Sequence, residues 1–195
     1  MGRSKQFSHN DALEGAMCEF WKRGYHATSI PRLESAMGIR RQSIYDSFKS
    51  KRALFLQVLE YYQQNIIEKN LSPLEVADSP KQAICEYFIA RAEDAIKDDV
   101  IKGCLLTNSI AELAQHDKAI RDQTNVTLSY MKNIFYKSLI KSKQLNEISN
   151  DLDANSGADF LVNSAQGLFI LSRMNPTKSS VNGVVLQIEK LLAKK

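Results

Sequence analysis

Apolar residues recur at helical spacing along almost the whole chain, and chain breakers are few. Only 8 glycines and 4 prolines punctuate 195 residues. Such a chain favours long helices over the closely spaced turns of a sandwich or barrel. Leu13, Ala16, Met17, Phe20 and Trp21 form one stripe, closed by Gly24 in the position of a C-terminal glycine cap. Residues 29–37 read as a short helix that Thr28 or Ser29 can cap, with Pro31 in the first turn, where its missing N–H is tolerated. Gly38 marks a tight turn, and residues 40–47 make a third short helix with Ile44 and Phe48 on one face. Longer helices follow over about 51–70, 80–97, 103–115, 117–143 and 156–174, and a last amphipathic one carries Val184, Val185, Ile188, Leu191 and Leu192. In the 117–143 helix, Val126, Leu128, Met131, Ile134, Phe135 and Leu139 are expected to point inward. Residues 146–156 are polar and read as a loop. No alternating strand pattern and no internal repeat stands out, so the expected class is all-α with about nine helices.

At 44% hydrophobic and 25% charged residues the chain has globular composition. No apolar run reaches the roughly 18–20 residues of a membrane span. The N-terminal Met1-Gly2-Arg3-Ser4-Lys5-Gln6 lacks a signal peptide's apolar region, and Gln6 stands where myristoylation needs Ser or Thr. Three widely spaced cysteines, Cys18, Cys85 and Cys104, exclude a fully paired intrachain framework and fit a reducing cytoplasm, the expected location. Cys18 and Cys85 fall at helix-interior positions and read as small apolar filler.

The charge is unevenly placed. Residues 1–52 hold ten Lys/Arg and five Asp/Glu, a net +5, whereas the remainder is −1. A basic N-terminal unit on a neutral body calls for an anionic partner. The three short helices with a glycine turn between the second and third make a helix-turn-helix pattern. Leu33, Ala36, Ile39 and Ile44 can hold the two helices together. Arg40-Arg41-Gln42-Ser43 supplies the polar, basic N-terminal end that meets base edges in a major groove.

Three segments in one register carry a more specific signal. Gly24-Tyr25-His26-Ala27-Thr28-Ser29-Ile30, Ala36-Met37-Gly38-Ile39 and Ser43-Ile44-Tyr45-Asp46-Ser47-Phe48-Lys49-Ser50-Lys51, continued by Ala53-Leu54-Phe55, resemble the DNA-binding unit of the tetracycline-repressor (TetR) family over roughly residues 8–60. The remainder is similar to that family only in length and helical character. The resemblance implies a homodimeric transcription factor, usually a repressor, that binds a palindromic double-stranded operator and is released by a small-molecule effector. It also implies a helix-turn-helix domain over 1–52 and a ligand-binding and dimerisation domain over 53–195. Carried over by residue, Thr28, Tyr45 and Lys51 would contact phosphates. Arg41, Gln42 and Ser43 lie where bases are read, with Asp46 and Ser47 at the margin. Gln bonds adenine and Arg bonds guanine in two places, each worth about 1–3 kcal/mol of discrimination. Arg40 replaces a Ser that often caps the third helix, losing about 1 kcal/mol of capping and adding a candidate phosphate contact. Arg52, a cation in the first turn of its helix, opposes the helix dipole and makes sense beside Lys51 if that helix end faces phosphate.

In this family the last two helices of two chains form a four-helix bundle. Here Ala158, Leu161, Ala165, Leu168 and Leu171 with Gly167, and the apolar face of 184–192, are the expected contributions. The same stripes also read as the domain's own core. A pocket between the fourth and eighth helices would draw on Tyr62, Ile66, Tyr87, Phe88, Arg91, Cys104, Leu105, Asn108, Phe135 and Phe169, each of which has a plain reading as core. Arg91 suits an anionic ligand. Cys104 follows Gly103 at a helix start, where the dipole lowers a thiol's pKa, and the Gly-Cys-Leu segment resembles family members that sense electrophiles or oxidants.

His9, His26 and His116 are isolated, and no Cys-x-x-Cys, His-Glu-x-x-His, Gly-x-Ser-x-Gly, P-loop or Rossmann glycine run occurs, so no metal, cofactor or enzyme activity is expected. The alternatives are an all-helical small-molecule-binding protein or enzyme, and a protein-interaction module with DNA binding secondary. The enzyme reading leaves residues 24–55 unexplained, whereas Asp46, an acid on the recognition helix, speaks for the interaction role.

Overall fold

The computed structural model describes residues 8–97 and 103–194, and these form only helices and connecting turns. Arg3 and Lys5 of the N-terminal basic count lie outside them. Helix α1 (His9–Arg23) starts where the Ser8 hydroxyl accepts from Asp11 N, and Gly24 ends it with φ 84°. Helix α2 (Ile30–Met37) carries Pro31 in its first turn. Gly38 follows at φ 66°, a left-handed conformation that costs glycine nothing and a β-carbon about 1 kcal/mol or more. Helix α3 (Arg41–Phe48) comes next.

Helix α4 (Lys51–Tyr62), a π turn (Gln63–Ile67) and helix α5 (Glu68–Val76) form one uninterrupted rod. The rod continues past residue 70, where the sequence suggested a stop, and Pro73 sits inside it. Proline cannot donate to the carbonyl four residues back. The Ser72 hydroxyl donates to that carbonyl, Lys69 O, at 3.0 Å and satisfies it. Helices α6 (Pro80–Ile96), α7 (Leu105–Leu113), α8 (Lys118–Gln144), α9 (Ala154–Leu171) and α10 (Lys178–Leu191) complete the body. Counting the α4–α5 rod once, the described residues make nine helical rods, as expected. None of these helices is long and apolar enough to cross a membrane.

Phe20, Leu33, Ile44 and Phe48 are buried at the centre of α1–α3. That core runs directly into α4, where Phe55 meets Phe20 edge-on with ring centroids 4.8 Å apart. Several expected inward positions differ. Ala36 is exposed and Met37 is buried in its place, because α2 turns its backbone toward α1 at this point. The Ala36 carbonyl lies against Gly15, where a β-carbon would overlap it. Val126 is exposed on α8 and Leu128 is half-buried, whereas Met131, Ile134, Phe135 and Leu139 are core. Cys18 is exposed, falling between the apolar positions of α1 rather than among them, and Cys85 is half-buried.

On α9, Ala158, Leu161, Ala165 and Leu168 are buried within the chain, as are Ile188 and Leu192 of the C-terminal segment. The stripe expected at a dimer interface is therefore mostly this domain's own core. The face that remains outward carries Phe160, Ile170 and Leu186.

Gly15→Ala tests the α1–α2 approach. An alanine in a helix interior ordinarily gains up to about 1 kcal/mol over glycine, but overlap with backbone costs about 1–3 kcal/mol. We expect net destabilisation of about 1–2 kcal/mol, read as a lower urea midpoint at unchanged slope.

Candidate nucleic-acid interface and ligand cavity

The outer surface of α3 presents Arg40, Arg41, Gln42 and Ser47 to solvent, with Ser43 and Tyr45 half-buried beside them. Arg40 makes no capping bond, as its side chain dictates. The free N–H of Arg41 instead donates to Glu34 Oε1 of α2 at 2.5 Å, so the cap comes from the neighbouring helix. The Arg41 guanidinium lies 5.6 Å from the Tyr45 ring centroid, and Gln42 Nε2 donates to Asp46 Oδ1 at 2.9 Å. Asp46 thus holds the Gln42 amide along the helix. Lys49 ends α3 at φ 70°, and its Nζ donates to Asp46 O at 2.9 Å. Ser50 then caps α4 by accepting from Ala53 N at 3.0 Å.

Thr28 does not offer its hydroxyl to solvent. It is fully buried and donates to Gly24 O at 2.7 Å, closing the α1–α2 turn, and α2 has no side-chain cap bond at all. Arg52 is exposed but is paired with the body rather than free beside Lys51. Its Nε and Nη2 donate to Asp117 Oδ2 and Oδ1 at 2.5 and 2.8 Å, and the same carboxylate caps α8 through Ala119 N and Ile120 N. Lys51 Nζ sits 4.4 Å above the Tyr25 ring, where burial lowers its pKa against the opposing pull of Glu112.

Glu112 of α7 was not apparent in the sequence. Its two carboxylate oxygens accept from Tyr25 N at 2.9 Å and His26 N at 2.7 Å. A β-carbon on Gly24 would press on that carboxylate. The body therefore grips the turn before α2 and the start of α4 with two acidic side chains 87 and 65 residues away in sequence. Nothing in local spacing signals contacts of that range.

A cavity of about 230 Å³ lies where α1, the α4–π segment, α6 and α9 meet. Trp21 of α1, Tyr62, Ile66 and Ile67 of the α4–π segment, Tyr87 and Arg91 of α6, Phe169 of α9 and Gly103 are among its walls. The π turn shifts this part of the rod by one residue, a local irregularity often found at functional sites. Trp21 Nε1 donates to Gly103 O at 3.2 Å, and its ring meets Tyr62 edge-on at 5.0 Å. Tyr62, Ile66, Tyr87, Arg91 and Phe169 are thus brought together as expected. Phe88 and Phe135 are not on the wall. They stack at 5.9 Å in the core behind Tyr87, and Leu105 is buried with them. Asn108 is not a wall residue either. Its Oδ1 lies 3.3 Å from where a β-carbon on Gly103 would stand.

Cys104 is buried and accepts a hydrogen bond from the Tyr62 hydroxyl at 3.2 Å. Burial pushes its thiol pKa up, outweighing the hydrogen bonds from Tyr62 and the helix start that lower it. The expectation of a thiol activated by a helix N-terminus is overturned for this conformation, because desolvation exceeds the dipole.

Two family models match the chain. Residues 12–58 match the one described as "Bacterial regulatory proteins, tetR family", and residues 81–185 match "Tetracyclin repressor-like, C-terminal domain". The chain belongs to the TetR family. It is a helix-turn-helix transcriptional regulator. Among its relatives, the uncharacterised HTH-type transcriptional regulator YezE of Bacillus subtilis is 31% identical, covering 89% of this chain and 90% of its own length. The HTH-type transcriptional repressor ComR of Escherichia coli is 30% identical over 88% of this chain and 82% of its own. A solved structure of the TetR-family regulator CifR, a cysteine mutant complexed with a 26-base-pair operator DNA, aligns with a TM-score of 0.83 at 25% identity, over 96% of this chain and 98% of that one.

Two outcomes follow. Arg52 and its neighbours pull the Asp117 carboxyl down to about 2 from 3.8. Because the folded value lies below the unfolded one, the pair adds stability above about pH 4 and loses it as pH falls toward 2. Asp117→Asn is expected to remove that part of the acid dependence of the melting temperature. Alkylation mapped by mass spectrometry should label Cys18 first and spare Cys104 until the chain unfolds.

Proposed function

We propose that the chain represses transcription as a homodimer that binds a palindromic operator and lets go when a small molecule fills the cavity. Residues 1–52 form the reading unit and 53–195 the ligand-binding and dimerisation body, with α4 rooted in both. Arg41, Gln42 and Ser43 read bases, Ser47 stands at their margin, and Arg40, Tyr45 and Lys51 contact phosphates. Thr28 supports the turn from within.

The observation that carries this reading is the placement of Trp21. The residue belongs to α1 of the reading unit, yet it is a cavity wall and donates to Gly103 on the far side. A molecule entering the cavity must act on α1 directly. Repression is supported by the repressor relatives, ComR among them. Dimerisation is supported by the outward apolar face of α9 and α10. Phe160, Ile170 and Leu186 are 46%, 53% and 49% exposed, and among the described residues no other element comes within 4 Å of where side chains on Gly167 or Gly183 would begin. Phe160, Gly167, Leu171, Gly183 and Val184 line one open groove between α9 and α10, and exposed apolar surface of this kind marks an association surface. Charged substitution there, Phe160→Glu with Leu186→Glu, is expected to yield a folded monomer by light scattering.

Selection of bound sequences from random duplex DNA is expected to return a palindrome whose affinity falls steeply with salt. Tyr45→Phe and Lys51→Ala should weaken binding on all sequences alike, and Lys51→Ala should lower the salt slope by about one. Gln42→Ala should relax preference at one position per half-site. Equal weakening on every sequence would remove Gln42 from the base readers. Failure to recover any sequence with a folded dimer would favour a protein-interaction role instead.

A further inference from the structure

The cavity is apolar and aromatic on most sides, but one of its polar groups is left open. Arg91 is 17% exposed, and its Nη2 donates to Asp94 Oδ2 at 2.8 Å. Its Nε lies buried with no hydrogen-bond partner. Nε and Nη2 share one edge of the guanidinium, the edge that takes a carboxylate with two parallel bonds. Asp94 occupies half of that edge and is itself held by Lys97 Nζ at 2.7 Å. A buried donor on a charged group is costly to leave unmet, so the open half marks a place for an acceptor.

The other wall groups narrow the choice. The Tyr62 hydroxyl is used by Cys104, the Trp21 N–H by Gly103 O and the Ser172 hydroxyl by Phe169 O. Asn108, beside Gly103, adds a second buried donor without a partner in its Nδ2. Arg91 Nε and Asn108 Nδ2, both buried without a partner, are both donors. The Arg91 guanidinium also lies 5.6 Å from the Tyr87 ring centroid, which fixes its plane against the wall. A volume of about 230 Å³ exceeds the roughly 150 Å³ that suffices for benzene in an apolar cavity, leaving room for one ring and a short acidic arm.

We propose that the effector is a compact monocarboxylate with an apolar body about one ring in size, its carboxylate seated on Nε and Nη2 of Arg91 in place of Asp94. This rests on the cavity being the effector site proposed above. Displaced from Arg91, Asp94 keeps Lys97. The apolar body lies against Trp21, Tyr62 and Phe169, so the acid is recognised at α6 and felt at α1.

Trp21 is the only tryptophan in the chain, so its fluorescence reports the cavity directly. The full-length protein is titrated at pH 7 with benzoate, phenylacetate and cyclohexanecarboxylate, and with benzamide and phenylacetamide as uncharged counterparts. At least one acid is expected to quench Trp21 and to bind at least about tenfold tighter than its amide, as a charge-assisted pair would give. Arg91→Gln should erase that preference, Arg91→Lys should keep part of it, and Asp94→Asn should tighten acid binding several-fold. Should Arg91→Gln not fold, the Asp94→Asn and Arg91→Lys results decide. Amides that bind as well as acids, a preference that survives Arg91→Gln, or no binding by any acid would each overturn the proposal. Release of the selected operator is read in parallel. An acid that binds through Arg91 without releasing DNA leaves the ligand class standing and sinks the regulatory reading. An amide that binds and releases DNA does the reverse.

Discussion

Two carboxylates on the body, acting with the Phe20–Phe55 contact, hold the reading unit in place. Glu112 satisfies two consecutive backbone N–H groups at the turn before α2, and Asp117 holds Arg52 at the start of α4 while capping α8. Backbone donors in a turn need an acceptor or water, and a carboxylate with both oxygens engaged is a strong one. Because Asp117 serves Arg52 and the first turn of α8 at once, moving the α7–α8 corner moves both contacts. The orientation of α3 is therefore inherited from the body through α1, α2 and α4 rather than set within residues 1–52 alone.

The cavity shares α1 with this seam. Trp21 reaches it from α1, one turn before the segment that Glu112 grips, and its bond to Gly103 ties that helix to the segment leading into α7. Both routes from cavity to α3 pass through α1 and α7. Neither needs a long chain of side-chain rearrangements, since the wall residue and the gripped turn are on consecutive stretches of one helix end.

The reading unit was legible in the sequence because its determinants are local. Gly38 for the left-handed turn, Leu33, Ile44 and Phe48 for the shared core, and the polar start of α3 are fixed by spacing, and the resemblance over residues 8–60 rests on the same positions. What was not legible depends on partners far away or on competition between effects. Glu34 caps α3 in place of Arg40, and Arg52 turns from phosphate to Asp117. Thr28 turns inward because the Gly24 carbonyl needs a donor. Pro73 is tolerated because Ser72 repairs the carbonyl it abandons. For Cys104 the sign changed, since burial opposes the helix start and prevails. In the body, helical stripes told which residues face inward on one helix but not which of two apolar surfaces that helix buries. Four of the ten expected cavity residues, Phe88, Cys104, Leu105 and Phe135, and most of the expected dimer stripe, are accordingly core.

The seam also bears on how strong a ligand signal has to be. Asp117 and Arg52 lie near the surface, where solvent and salt screen an ion pair and leave it weak. The Glu112 bonds to the exposed turn belong to the ordinary range of about 1.5–3 kcal/mol for charged hydrogen bonds. Coupling between two sites in one protein typically amounts to about 1–3 kcal/mol. Contacts of that strength hold α3 in place and remain within reach of a small molecule's binding energy. The apolar contact of Phe20 with Phe55 joins α1 to α4 beside these carboxylates. Any shift of the reading unit therefore moves α1 against that shared core as well as against the two polar contacts, and Trp21 places the cavity wall on the same helix.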